Sequence, residues 1–271
     1  MKIRTAFPHI LERQYPSVTP DSPLLTVLYL LRIREIDAVP LNYPEESIER
    51  GVFGFSSLPK FMAKGPRAFV KLLDEPCERA SEELASVTLD DDLETLLDAF
   101  QARRLGFALV HGVGSTKRRR SFVSLTDVLG LFEGKSISSD LRLNDVATPI
   151  YSMPETTSIR NALRQMFRRR YRRIFISAGE FVSDRGIMEY LFSPFMLEQI
   201  GWDTKMDVLG EPIAKLEKRT PLLAGPDTAV GTAALKLRRN RGHCIVIAGE
   251  KVASPWDVVM KPWAKGKLNI E

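Results

Sequence analysis

Two Ser-x-x-Asp motifs are the residues of this sequence best suited to hold a polar ligand. They are Ser124 with Asp127, and Ser254 with Asp257. A carboxylate offers acceptor oxygens to two neighbouring hydroxyls, and a hydroxyl beside the free N–H groups of a helix start favours an anion. The same spacing is also a capping-box pattern, in which the two side chains only stabilise the start of a helix. The motif alone leaves both interpretations open.

Dense clusters of basic residues are the second feature that could bind a ligand. They lie at positions 117–120, 168–173 and 236–241. Basic residues in a last helical turn complement the helix dipole, but clusters this dense exceed that need. They could contact the phosphates of a bound nucleotide, contact the phosphates of a nucleic acid, or form a solvated face. The predicted phosphate or nucleic-acid contacts are Arg118, Arg119, Arg120, Arg169, Arg170, Arg172 and Arg239.

Residues for catalysis or metal binding do not form any recognisable pattern in the sequence. The two cysteines and three histidines show no metal-ligand spacing. A Gly-rich phosphate loop and a Ser/His/Asp constellation are also missing from the sequence. We therefore expect a protein that is not an enzyme and that has no metal and no cofactor.

The composition is that of a globular protein, with 44% hydrophobic and 27% charged residues and a net charge of +5. Its 271 residues suit two units better than one. The apolar stretches are too short to span a bilayer, and no signal sequence follows the N-terminus. These features predict a cytoplasmic protein that does not contact a membrane.

A four-fold internal repeat organises the elements that carry these residues. Apolar residues at i, i+3, i+4 and i+7 predict a helix four times, in stripes beginning at Leu24, Leu93, Ile159 and Val230. Each stripe is followed by a short apolar run, which predicts a buried strand. A second short strand then ends in Ser and leads into another helix. We number these repeats copy one to copy four, in chain order.

This βαββα unit, repeated in pairs with Ser-x-x-Asp at its last strand-to-helix junction, resembles the cystathionine β-synthase (CBS) domain. The resemblance covers roughly residues 15–262. It implies an α/β (α+β) fold with four βαββα repeats arranged as two pairs, called Bateman modules. The first pair is expected at 1–139, with repeats at about 15–65 and 84–134. The second is expected at 140–271, with repeats at about 145–193 and 208–262.

The CBS resemblance also implies a function. In that family the cleft between paired domains binds adenosine ligands such as AMP, ADP, ATP or S-adenosylmethionine, and the motif Ser and Asp meet phosphate and ribose. Lys60 and Gly186 stand where copies one and three would need Asp, so at most two such sites are expected. The residues expected to line them are Thr88, Phe107 and Ala108 for copy two, and Ala224, Cys244 and Ile245 for copy four.

The implied protein is a non-catalytic regulatory sensor whose clefts bind an adenosine nucleotide. Two alternatives remain: a nucleic-acid-associated protein that uses its arginine clusters on a CBS scaffold, and an interaction scaffold with empty clefts. Four copies in one chain can form in cis the disc that two-copy family members make by dimerising. The resemblance therefore implies that a monomer suffices, with a homodimer as the alternative.

Overall fold

The computed structural model describes residues 1–12, 15–34, 36, 38–42, 50–52, 71, 73–112, 120–177, 179–203, 206–240 and 244–271. Three predictions lie outside these residues: the strand-to-helix junction of copy one with Lys60, and the phosphate contacts of Arg118 and Arg119. Of Arg120, only the backbone is described.

The helices and strands alternate along the chain. The α-helices are α1 (Ile3–Ala6), α2 (Leu24–Ile33), α3 (Leu93–Arg103), α4 (Leu125–Glu133), α5 (Leu143–Val146), α6 (Ile159–Arg169), α7 (Asp184–Leu191), α8 (Pro194–Trp202), α9 (Val230–Arg239) and α10 (Pro255–Ala264). Short 3₁₀ helices cover Pro8–Leu11, Cys77–Ala80, Val208–Gly210 and Ile213–Lys215. The strands are β1 (Val39–Pro40), β2 (Arg50–Val52), β3 (Glu82–Glu83), β4 (Ala85–Thr88), β5 (Phe107–His111), β6 (Arg120–Ser124), β7 (Ile137–Ser138), β8 (Thr148–Pro149), β9 (Arg173–Ser177), β10 (Glu180–Ser183), β11 (Leu222–Ala224), β12 (Ile245–Ile247), β13 (Lys251–Ala253) and β14 (Asn269–Ile270).

The predicted mixture of helices and strands is confirmed. Helices α2, α3, α6 and α9 begin at the first residue of each predicted stripe, and each buries its whole stripe. Within the described ranges, no helix has the length and apolar character needed to cross a membrane.

The chain forms two compact units, each of which contains alternate copies. Unit 1 consists of Met1–Tyr15, Leu84–Ile150 and Pro221–Glu271 and contains copies two and four. Unit 2 consists of Pro16–Glu83 and Tyr151–Thr220 and contains copies one and three. The predicted division at residue 139 is therefore not the one that the compact units follow. The association of copies in chain order around clefts stays a prediction.

The apolar faces of the helices explain this division. In unit 1, α4 of copy two packs against α9 and α10 of copy four, so both copies bury their stripes in one hydrophobic core. Three sheets surround that core: β4-β5-β6, β11-β12-β13-β8 and β14-β7. The first two of these sheets have the same strand order. In each, a parallel pair (β4-β5 or β11-β12) is followed by an antiparallel pair (β5-β6 or β12-β13).

Unit 2 buries the stripes of α2 and α6 in a second core. Its sheets are β1-β2-β3 and β9-β10. The additional helix α8 follows copy three, and Met196 and Ile200 anchor it in this core.

The stretch of chain that leads into each copy packs not on that copy but on the neighbouring copy of its predicted pair. We call this stretch the exchanged leading segment. Met1–Tyr15 leads into copy one but belongs to unit 1 with copy two, whereas the 3₁₀ helix Cys77–Ala80 leads into copy two but belongs to unit 2 with copy one. Copies three and four exchange their leading segments in the same way.

One backbone hydrogen bond recurs in all four exchanges. In each copy, the first N–H of the first helix donates to a carbonyl of the exchanged leading segment, which satisfies a group that a helix start leaves without an internal partner. The four bonds are Leu24 N to Glu75 O (2.9 Å), Leu93 N to Met1 O (2.9 Å), Ile159 N to Glu211 O (2.8 Å) and Val230 N to Leu141 O (3.1 Å).

Candidate nucleotide site

Ser124 and Asp127 of copy two lie where β6 ends and α4 begins. Phe107 on β5 is the register partner of Ser124, so the sheet brings this predicted lining residue to the motif. The motif forms a capping box: the Asp127 N–H donates to Ser124 Oγ at 3.4 Å, and the Ser124 N–H donates to Asp127 Oδ2 at 2.8 Å. The Ser124 hydroxyl also donates to Oδ2 at 2.8 Å.

The second carboxylate oxygen of Asp127 faces the exchanged leading segment. His9, in the 3₁₀ helix Pro8–Leu11, places its Nε2 at 3.1 Å from Asp127 Oδ1. The His9 side chain is 50% exposed, whereas that of Asp127 is 9% exposed. Sequence reasoning missed His9 because 118 positions separate it from Asp127 and no local pattern connects them.

Asp257 of copy four accepts from four described donors. Its Oδ2 accepts from the Ser254 N–H at 2.8 Å and from the Ser254 hydroxyl at 2.6 Å. Its Oδ1 accepts from Thr148 Oγ1 at 2.8 Å and from Lys261 Nζ at 2.9 Å. Each oxygen has two lone pairs, so these four donors use the acceptor capacity of the carboxylate. Thr148, like His9, belongs to an exchanged leading segment.

The other predicted lining residues differ in their positions relative to the two motifs. Ala108, Cys244 and Ile245 are completely buried in unit 1, so their side chains contact the core. Thr88 pairs with His111, at the end of β5 opposite Phe107, which is about 13 Å away at the usual rise of a strand. Ala224 pairs with Ile247 and is likewise remote from the end of β12 that lies beside Ala253. By strand register, Phe107 lies opposite Ser124, whereas Ala108 and Ile245 pair with the residues that precede Ser124 and Ser254.

The corresponding junction of copy three has no carboxylate at the motif position, as the sequence predicts. The Gly186 N–H donates to Ser183 Oγ at 3.0 Å, so Ser183 caps the helix. The neighbouring Asp184 accepts from Arg172 Nε at 2.7 Å. Arg172, predicted as a phosphate contact, therefore has a partner inside its own copy.

The remaining predicted arginine contacts differ in their partners. The Arg169 guanidinium lies 4.2 Å from the centre of the Tyr151 ring, and Arg170 ends α6 in the left-handed conformation with φ 56°. Arg239 Nη2 is 4.0 Å from Glu133 Oε1. Its neighbour Arg238 forms an ion pair with the same Glu133.

Metal ligands do not cluster in the part of the chain that the structure describes: no three His, Cys, Asp or Glu side chains are placed where they could hold an ion. Cys77 and Cys244 are buried free thiols. Burial raises the pKa of the Cys77 thiol to about 11. A reactive thiolate is therefore not available at Cys77 near neutral pH.

The fold is similar to that of several solved structures. Protein MJ1225 from Methanocaldococcus jannaschii, described as a proposed archaeal homologue of g-AMPK, matches with a TM-score of 0.80 and 15% identity, over 97% of this chain and 100% of its own. An uncharacterised conserved protein from Pyrococcus horikoshii matches with a TM-score of 0.51 and 12% identity, over 82% of this chain and 89% of its own. The CBS domain protein PAE2072 from Pyrobaculum aerophilum, complexed with AMP, matches with a TM-score of 0.34 and 13% identity, over 47% of this chain and 89% of its own.

No protein-family model and no curated protein sequence matches the chain. At identities this low, the structural similarity shows the fold. That fold is the CBS fold, which confirms the resemblance seen in the sequence.

Proposed function

We propose, with the CBS fold as the premise, that this chain is a non-catalytic regulatory protein that binds an adenosine nucleotide at Ser124 and Asp127. The ligand class is AMP, ADP, ATP or S-adenosylmethionine. The proposal includes the predicted cytoplasmic location and the predicted assembly as a monomer or homodimer.

The observation that carries this proposal is the environment of the Asp127 carboxylate. Its Oδ2 is held by Ser124, which fixes the orientation of the group. Its Oδ1 faces His9, a half-exposed side chain that can turn to water at little cost. The two hydroxyls of a ribose could then take the place of His9. Phe107 lies beside Ser124 and offers an aromatic surface to the base.

Ser254 and Asp257 form the second proposed site, with weaker binding. A ribose there must displace both Thr148 and Lys261 from Asp257 Oδ1. Displacing buried, charge-assisted hydrogen bonds costs more than releasing a half-exposed histidine. We therefore expect copy two to dominate the measured affinity.

Isothermal titration calorimetry with AMP, ADP, ATP and S-adenosylmethionine tests the proposal. The Asp127→Asn variant keeps the shape of the side chain but removes its charge. Hydrogen bonds to a charged group contribute about 1.5–3 kcal/mol each, so losing two of them should weaken binding at least ~100-fold. The expected loss for Asp257→Asn is smaller.

Asp145→Asn is the matched control. Asp145 occupies the same position in its helix, and its Oδ2 accepts from the Arg142 N–H at 2.8 Å, yet it belongs to neither motif. The Asp145→Asn variant should bind the nucleotide with the affinity of the wild type. Equal affinity in wild type and Asp127→Asn would overturn the proposal. Absence of binding by all four ligands would favour the scaffold with empty clefts.

A further inference from the structure

The outer face and C-terminal end of α6 carry arginine side chains that have no acidic partner among the described residues. We call Arg164, Arg168, Arg169 and Arg170 the α6 arginine surface; all four are exposed. Other arginines nearby are neutralised, since Arg160 pairs with Asp207 and Arg172 with Asp184. The described acidic residues form no ion pair with the four members of the surface.

Helix stability does not account for this surface. The C-terminal end of a helix carries about half a negative charge, which one basic side chain offsets. Arg170 also occupies a left-handed position with φ 56°, where glycine is the usual residue because a side chain is strained there. The left-handed helix end recurs at Arg104 of copy two, with φ 52°, whereas the excess of positive charge at α6 favours a ligand.

Aromatic side chains lie within the same surface. Phe167 is 44% exposed between Arg164 and Arg168, which are one turn of α6 apart. The Arg169 guanidinium stacks on Tyr151 at 4.2 Å. Interleaved cations and exposed aromatic rings are the arrangement that binds the phosphates and bases of a single strand.

We propose that the α6 arginine surface binds single-stranded nucleic acid. The phosphates contact Arg164, Arg168 and Arg170, and an unpaired base stacks on Phe167. All basic residues of this face are arginines, whose planar guanidinium groups bind phosphate with two hydrogen bonds and stack on bases.

Two other anionic partners fit the surface less well. The apolar face of α6 is buried in the core of unit 2, so this helix cannot insert it into a bilayer. An acidic peptide would use the charges but would leave the exposed ring of Phe167 without a role. This surface belongs to unit 2, whereas Ser124 and Asp127 belong to unit 1, so the two proposals can fail separately.

Fluorescence anisotropy with labelled 20-nucleotide poly(U) and poly(dT) strands tests the proposal, over a series of salt concentrations. The triple variant Arg164→Gln, Arg168→Gln and Arg170→Gln removes three phosphate contacts. For single strands each contact adds about 0.7 to the slope of log affinity against log salt, so the slope should fall by about 2 and affinity at 0.1 M salt by roughly 100-fold. Phe167→Ala should weaken binding about tenfold and leave the slope unchanged.

The matched control removes three positive charges from the corresponding helix end of copy four. Lys236→Gln, Arg238→Gln and Arg239→Gln change the net charge equally, but Arg238 and Arg239 already face Glu133. Wild-type affinity and slope in this control support the proposal, as does stronger binding of poly(U) or poly(dT) than of duplex DNA. Equal losses in the control and test variants would overturn it. So would preferential binding to vesicles containing phosphatidylserine or to a poly-glutamate peptide.

Discussion

Replacing Asp257 should destabilise the protein more than replacing Asp127, although the two residues occupy the same position in their copies. The perturbation is Asp→Ala at each site. Both changes remove a capping-box carboxylate from the start of a helix, α10 or α4. The difference between them therefore isolates the contacts beyond the capping box.

The hydrogen-bond geometry sets the size of this difference. Asp257→Ala leaves the Thr148 hydroxyl without its acceptor and removes the counterion of the Lys261 ammonium, which keeps only the neutral acceptors Val146 O and Thr148 Oγ1. Removing one partner of a buried pair costs about 3–5 kcal/mol, and Lys261 is 34% exposed, which favours the lower end, about 3 kcal/mol. Asp127→Ala releases His9, which is 50% exposed and can be solvated. Losing the cap then dominates, at about 1–2 kcal/mol.

Urea unfolding can measure this difference within unit 1. The chain has three tryptophans, and Trp202 belongs to unit 2, whereas Trp256 and Trp263 belong to unit 1. A Trp202→Phe background therefore makes tryptophan fluorescence report on unit 1. With a slope of about 2 kcal/mol per molar urea, the midpoint should fall by about 1.5 M for Asp257→Ala and by about 0.5–1 M for Asp127→Ala.

A double-mutant cycle with Thr148→Val controls for the loss of the cap. Thr148→Val should destabilise the wild type more than it destabilises Asp257→Ala, in which only the bond from Lys261 Nζ to Thr148 Oγ1 is left to lose. If Asp127→Ala destabilised unit 1 as much as Asp257→Ala, the contacts of Asp257 with Thr148 and Lys261 would not add to stability, and the reasoning would be wrong.

Predictions for three further residues concern buried and exposed side chains. Because burial raises the pKa of Cys77 to about 11, from the ordinary 9.0, its thiol should resist iodoacetamide at pH 8 until urea unfolds the chain. The unfolded thiol ionises at lower pH than the folded one, so this group should reduce stability as pH rises above about 9. Phe100→Ala should cost about 3–5 kcal/mol because the ring is completely buried. Trp202→Ala, at a side chain that is 77% exposed, should change stability by less than about 0.5 kcal/mol.

The first helix of each copy could be predicted from the sequence because its signal is local. An apolar stripe with helical period identifies the buried face, and α3 begins at Leu93 and α6 at Ile159, where the stripes begin. The exchange of leading segments has no such signal. The carbonyl of Met1 accepts from the N–H of Leu93, although the whole of copy one lies between these two residues in the sequence. Nothing in either local sequence indicates this bond.

The candidate site was predicted in part for the same reason. The Ser124–Asp127 spacing is local, and the structure realises it as a capping box. The lining residues depended on strand register, which the repeat pattern does not specify. Thr88 was assigned to the site by its place in the repeat, but parallel pairing puts it beside His111. Ala108 belongs to a strand whose central residues are all buried.

Under the proposed function, the exchanged leading segments would connect nucleotide binding to the packing of unit 1. His9 and Thr148 come from two different leading segments. His9 contacts Oδ1 of Asp127, and Thr148 contacts Oδ1 of Asp257. If a ribose takes Asp127 Oδ1 from His9, the ligand removes one contact that holds the segment Met1–Tyr15 on copy two. Linkage is reciprocal, so the factor by which the nucleotide weakens docking of that segment equals the factor by which docking weakens the nucleotide. His9→Ala should therefore tighten nucleotide binding at Asp127 while loosening the N-terminal segment, which hydrogen exchange of residues 3–7 would detect.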